Sequence, residues 1–374
     1  MIKSVALKDF RRLTDLEVPL SSVTMLTGIN GAGKTSVLEG LYCLFSQEKL
    51  DVSVFSRYNK SVAFRMEPPS AGIAIRENYD YRLYWNECPT YGKNECAVYA
   101  MSDDSTLWSW RFKRAKLTDL DKRIIAYYPI PLDASSDFAL WDWNVSGKNS
   151  NDAILQESEI GDHFQKAQLL THDKGLYLLP NEEWNRSLCK YLNFASMKLL
   201  PQKLPYQTAK QLTEALHIID PRITDVRLAD MESGLSVVLN GEREVSLGTI
   251  GNGALTWACM LIEIFEMNEA AKQQPSDIPI FVLIDEIGAG IHYSIMLEVW
   301  DFLKAFCCEN RNIQFVFTSH SDDCIRSYCE AFSTQDDAAV VRLHLTAAEE
   351  KIVSTEYKKE AFRSIIDGEW EVRG

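Results

Sequence analysis

The sequence predicts an α/β fold: an N-terminal antiparallel β lobe, a central mostly parallel sheet and an inserted, partly helical region. Three observations carry that expectation. Val23-Thr24-Met25-Leu26-Thr27 is a short apolar run of the buried-strand type; a glycine-rich loop follows it, and then Val37, Leu38, Leu41, Leu44 and Phe45 recur at helical spacing. In the last third, Ile280-Phe281-Val282-Leu283-Ile284 and Gln314-Phe315-Val316-Phe317 are buried-type strands, separated by a helical pattern of Ile295, Val299, Phe302 and Phe306. Strands that alternate with helices pair in parallel, because the helix carries the chain back along the sheet. Between about 50 and 130, by contrast, short runs such as Ala71-Gly72-Ile73-Ala74-Ile75 and 79–85 are divided by Pro, Gly and Asn, which suits antiparallel pairing.

The elements follow in order. Residues 2–7 and 16–27 read as strands, and the first helix begins after the glycine-rich loop. The stretch 131–215 is rich in Trp, Asn, Asp and Ser and turns helical around Thr208–Leu216; it holds no repeat and no heptad array. Val237–Leu239 and Glu244–Leu247 flank Asn240-Gly241, the dipeptide that favours a tight hairpin turn. Ile250-Gly251-Asn252-Gly253 then opens a helix that runs to about residue 272. Three regions are expected: 1–130, an insertion at 131–215, and 216–374. A chain of 374 residues suits two lobes or a domain with a large insertion, and its 46% hydrophobic and 25% charged residues are those of a globular protein.

Composition narrows the chemistry. The nine Cys form no CxxC pairs, and the six His show no metal-ligand spacing, so neither a disulfide frame nor a zinc site is expected. The start lacks the apolar core of a signal peptide, and no run is long enough to span a bilayer; a cytoplasmic protein without membrane contact is expected. A net charge of -14 disfavours a surface that coats nucleic acid, since such affinity rests on Lys and Arg facing phosphates. The basic, aromatic-interleaved stretch 108–116 (WSWRFKRAK) is read as an amphipathic strand with a solvated basic edge rather than a nucleic-acid grip. Glu263, Glu266 and Glu269 read as the solvated face of a helix.

The sharpest signal is Gly28-Ile29-Asn30-Gly31-Ala32-Gly33-Lys34-Thr35, which satisfies GxxxxGK[ST] in full between a strand and a helix. The glycines let backbone N–H groups turn inward around phosphate oxygens, and the helix N-terminus beginning at Lys34, Thr35 and Ser36 adds a favourable dipole. Lys34 would reach the β- and γ-phosphates of ATP, and Thr35 would ligate Mg²⁺. Asp285 ends an apolar strand, where P-loop enzymes place a Mg²⁺-linked carboxylate, and Glu286 follows at once as the residue for the attacking water. Phe315-Val316-Phe317-Thr318-Ser319-His320 delivers His320 to the same sheet edge, placed to sense the γ-phosphate. No NKxD string favours guanine, so the nucleotide expected is ATP.

These strings, together with Phe10-Arg11-Arg12-Leu13, VLIDEIGAGIHYS and TSHSDDCIRS, resemble the P-loop NTPases of ABC type in the SMC, RecF and OLD group, especially the compact members labelled AAA15. The resemblance covers about 1–50 and 235–330, plus the closing GEWEVRG. It implies an ABC-type ATPase head in which Gly251, Asn252 and Gly253 occupy the place of the signature motif, about thirty residues before Asp285, and bind the γ-phosphate of ATP held by another subunit. The usual Leu-Ser-Gly-Gly-like string reads LGTIGNG here, so Asn252 or Thr249 would replace the serine hydroxyl. Arg11 or Arg12 would contact phosphate, and Gly288–His292 would touch the opposite subunit. No Q-loop glutamine is assigned. The absence of long heptads excludes an SMC-like tether, and about fifty residues after His320 leave no room for the nuclease domain of OLD proteins.

The resemblance further implies a homodimer or higher homo-oligomer that works beside a protein effector, a nuclease, in a two-protein anti-phage system of the PARIS or Septu kind. The alternative is a RecF-like DNA repair ATPase, against which the acidic balance weighs.

Overall fold

In the computed structural model, the described residues are 1–45, 71–75, 92–93, 95–116, 137–146, 168–172, 175–179, 188–193, 204–228, 234–274, 279–346 and 351–368. The expected strand at 79–85 lies outside them. The chain forms two compact units: Met1–Leu20 with Glu39–Cys189 and Leu345–Ser354, and Ser21–Leu38 with Lys190–His344 and Thr355–Gly374.

The first strand, β1 (Ile2–Phe10), outruns its expected end. The expected strand 16–27 is instead two strands that join different sheets, β2 (Leu13–Pro19) and β3 (Val23–Thr27). The apolar spacing of Leu16, Val18, Leu20 and Val23 suggests one strand. The break comes at Ser21, whose N–H and C=O are taken up by the Thr24 hydroxyl at 3.0 and 3.3 Å.

β1 and β2 form a hairpin around Arg11-Arg12, with Leu7 opposite Leu16 and Phe10 opposite Leu13. Helix α1 (Lys34–Phe45) follows β3, and its later turns belong to the first unit. A Cβ on Gly40 would lie 2.6 Å from Leu7 Cδ2 and 3.4 Å from Val98 Cγ2, so a side chain there would require Leu7 to shift. β4 (Ala71–Ile75), β5 (Glu95–Ser102), β6 (Leu107–Lys116) and β7 (Asp137–Ser146) complete this antiparallel sheet in the order β2-β1-β5-β6-β7-β4. The basic, aromatic stretch 108–116 is therefore strand β6, an interior strand paired on both sides. β8 (Gln168–His172) and β9 (Gly175–Leu179) pair separately.

The second unit is built on β10 (Leu188–Asn193), β14 (Ile280–Asp285), β15 (Gln314–Thr318), β3, β16 (Ala338–Leu345) and β17 (Ile352–Tyr357), hydrogen-bonded in that order. β14, β15, β3 and β16 pair parallel with one another, with Ile284 beside Phe317 and Thr318 beside Leu26. β3, β14 and β15 are buried throughout, which explains why they are apolar without alternation. Between β10 and β14 the chain forms α2 (Tyr206–Ile219), the sheet β11 (Ile223–Leu228), β12 (Leu235–Leu239) and β13 (Arg243–Ser246), and α3 (Asn252–Ala271). The Asn240-Gly241 turn forms as expected. Both residues have positive φ, 52° and 74°, and Glu242 N–H bonds Leu239 C=O at 3.1 Å.

Helix α4 (Met296–Glu309) buries Trp300, whose ring meets Phe317, Tyr328 and Phe332 edge-on and whose Nε1–H donates to Cys324 C=O at 3.0 Å. Helix α5 (Asp322–Ala331) starts where its sequence says it should: the Ser321 hydroxyl accepts from Cys324 N–H, and Asp322 and Asp323 sit in the first turn, where the dipole favours them. Helix α6 (Lys359–Ile366) follows β17. Glu263 departs from the expected solvated face of α3: it pairs with Lys190 at 2.6 Å, while Glu266 and Glu269 are exposed.

Candidate active site

The parallel order of β14, β15 and β3 brings three strand ends to one edge of the sheet. From β3 the chain enters the loop Gly28–Gly33. Gly28, Gly31 and Gly33 have φ of 134°, 82° and 94°, values that L-residues with a side chain rarely adopt. Gly28 is doubly constrained, because a Cβ there would sit 2.2 Å from the Leu343 carbonyl oxygen. Asn30 and Gly31 stand exposed at the crest, and Ala32 and Ser36 are buried at the base. Lys34 folds back across the loop and donates to Gly28 C=O at 2.7 Å and Ile29 C=O at 3.2 Å. Burial pulls its pKa down, opposed by the negative charges of Asp285 and Glu286 facing it. The result is a cradle with a cation at its centre.

Asp285 ends β14 and is 1% exposed. A buried carboxylate needs partners, and three hydroxyls supply them. Thr318, one strand over, donates to Oδ1 at 2.6 Å. Thr35 lies 3.3 and 3.1 Å from the two oxygens. Tyr191, on β10, donates to Oδ2 at 3.1 Å. A hydroxyl beside a buried carboxylate is a donor set that fits a hard divalent cation: Thr35 gives its proton to Asp285 and keeps oxygen lone pairs for the metal.

Glu286 has φ of 58°, in the left-handed region where non-glycine residues are uncommon. Its N–H is held by Thr318 Oγ1 at 2.8 Å, and the next N–H, of Ile287, by Thr318 C=O at 2.9 Å. A continuing strand would send Asp285 and Glu286 to opposite faces. The left-handed turn breaks that alternation, and both carboxylates act on Lys34. Thr318 thus binds the first carboxylate by its hydroxyl proton and the second residue's backbone by its hydroxyl oxygen.

The remaining expected residues are distributed as follows. His320 is exposed, two residues beyond Thr318. Gly251 caps α3 with φ of 150°, and no side chain caps the helix. Nothing lies within 4 Å of the Cβ position of Gly251, and Asn252 is exposed. Of the two candidates for the serine hydroxyl, Thr249 donates its own to Ser246 C=O at 2.7 Å, and Asn252 is exposed. Gly253 has a role inside the chain: a Cβ would fall 2.1 Å from the Gly290 carbonyl oxygen. Arg11, in the first unit, reaches the buried Glu39 of α1 at 2.9 Å. Sequence reasoning missed Tyr191 altogether and gave Thr318 no role. LCKYLN carries no motif, and only the pairing of β10 with β14 shows where Tyr191 falls.

A glycine cradle at a helix start, a lysine folded across it and a threonine joined to a strand-end Asp-Glu pair define a P-loop ATPase. Residues 1–127 match the family model of the AAA ATPase domain. It is 22% identical over 387 residues to a protein of Helicobacter pylori (strain ATCC 700392 / 26695) named ATP/GTP phosphatase, with 94% of each chain covered. Among solved structures it is similar to the SMC head domain from Thermotoga maritima (TM-score 0.42, 12% identity, 96% of this chain and 99% of that one). It is also similar to the recombination mediator protein RecF of the RecFOR pathway (TM-score 0.41, 10% identity, 95% and 98%).

Proposed function

We propose that this ATPase sandwiches ATP between subunits of a homo-oligomer and serves as the sensor or scaffold of a protein effector, a nuclease, in anti-phage defence. The observation that carries the catalytic part is the Thr318 link, which fixes a buried Asp285 and a left-turned Glu286 beside Lys34 and Thr35.

In this reading the backbone N–H groups of Gly28–Ser36 and the Lys34 ammonium hold the β- and γ-phosphates. Thr35 and Asp285 hold Mg²⁺, which when bound neutralises phosphate charge and fixes the leaving group. Glu286 orients the attacking water and accepts its proton, and His320 meets the γ-phosphate. Gly251–Gly253 of a neighbouring subunit close the site; the bare start of α3 supports this, since its first N–H groups have no intrahelical partner. Arg11 braces α1 through Glu39, one helical turn beyond Thr35. The effector and a cytoplasmic setting rest on the resemblance. The net charge of -14 favours a protein partner over nucleic acid, and no helix among the described residues is long and apolar enough to cross a membrane.

Lys34→Ala tests the cradle: ATP binding is lost, and unchanged nucleotide binding would remove the P-loop reading. Salt-titrated DNA binding with and without ATP tests the partner class. A steep salt dependence combined with DNA-stimulated hydrolysis would favour a RecF-like role instead.

A further inference from the structure

We infer that Tyr191 is a positioning residue for the metal-binding carboxylate. The inference rests on the reading of Asp285 as the Mg²⁺-side carboxylate and deepens it. The phenol of Tyr191 donates to Asp285 Oδ2 at 3.1 Å, opposite the Thr318 bond to Oδ1 at 2.6 Å. Two donors on different strands, one on each oxygen, fix rotation about the carboxylate's own axis. Thr35, at 3.3 and 3.1 Å from the same oxygens, is thereby left facing a carboxylate of one orientation. A carboxylate hydrogen-bonded in this way meets the cation already oriented, much as outer partners orient other metal ligands.

The position of Tyr191 in the chain adds a consequence. β10 is the strand on which the chain re-enters the second unit after the long excursion Glu39–Cys189, and Tyr191 is the second residue after that return. The residue that orients Asp285 is thus joined covalently to the segment the sequence leaves without catalytic motifs.

The test is Tyr191→Phe, which removes one hydroxyl and keeps the ring. ATPase rate is measured against Mg²⁺ concentration, and binding of a fluorescent ATP analogue is measured in EDTA. The expected result is an apparent Mg²⁺ constant raised by roughly three- to tenfold, the size of one ordinary hydrogen bond. Metal-free nucleotide binding stays unchanged, the melting temperature falls by no more than one lost hydrogen bond explains, and excess Mg²⁺ restores the rate. A purely structural role would lower the melting temperature and leave the Mg²⁺ constant alone. Asp285→Asn is run in parallel. If Asp285→Asn shifts the Mg²⁺ dependence and Tyr191→Phe does not, the positioning role is wrong. If neither shifts it, the assignment of Asp285 to the metal is wrong.

Discussion

The carboxyl end of β14 and the amino end of α3 belong to the same unit and are both flanked by glycines, but they are finished differently. At β14 the groups that could demand a partner have one: Asp285 is bound by Thr318 and Tyr191, and the N–H of Glu286 by Thr318. At α3 the start is bare, with Gly251 as cap, no capping side chain and an exposed Asn252. The contrast with α5 is instructive, because there Ser321 and two aspartates finish the same kind of helix end. A helix start without cap or acid favours an anionic ligand. The difference separates an end whose polar groups are already bound within the chain from one that is bare, and the proposal that α3 completes the ATP site of another chain rests on it.

The largest expected effect is at the finished end. Glu286→Gln keeps ATP bound and lowers turnover by about a hundredfold or more, the usual contribution of a positioned general base. Near-normal turnover would remove Glu286 from that role. Thr318→Val cuts both ties at once. It should lower stability by about 1–3 kcal/mol for the buried groups left unpaired, and lower kcat with it; a kcat unchanged in a stably folded variant would show that the two carboxyl groups act independently.

At the bare end, neighbouring residues should behave oppositely. Gly253→Ala places a methyl where Gly290 C=O lies at 2.1 Å, so stability falls by about 1–3 kcal/mol. A substitution at Gly253 therefore cannot probe assembly alone. Asn252→Arg, at an exposed position, should leave monomer stability within about 0.5 kcal/mol while abolishing hydrolysis. The smallest effect on function is expected for Asn240→Ala, which sets an ordinary L-residue at φ of 52° in a turn, lowers stability by about 1–2 kcal/mol and leaves ATPase activity unchanged.

Much of the finished end was legible in the sequence, because phosphate cradles and metal carboxylates demand particular residues at particular spacings. GINGAGKT and the apolar strand ending in Asp285 needed no fold to be read. Thr318 was visible as a strand end, but its double bond to Asp285 and Glu286 depends on the parallel register of β14 and β15, which local pattern does not encode. Tyr191 was hidden for the same reason, and the left-handed φ of Glu286 has no sequence signal, since Glu is not a residue that favours it. The Asn240-Gly241 hairpin was readable because its turn is local. The split of 16–27 into β2 and β3 was not, because the break competes with unbroken apolar spacing.

The outward half-site is tested most directly by mixing two inactive variants. Lys34→Ala spoils the cradle and keeps an intact α3 start; Asn252→Arg does the reverse. In a closed dimer with symmetric, shared sites, a mixed pair holds one intact composite site, so an equimolar mixture should recover about a quarter of wild-type ATPase activity, with each variant alone near zero. A mixture no more active than the sum of its parts would contradict a site built from two chains.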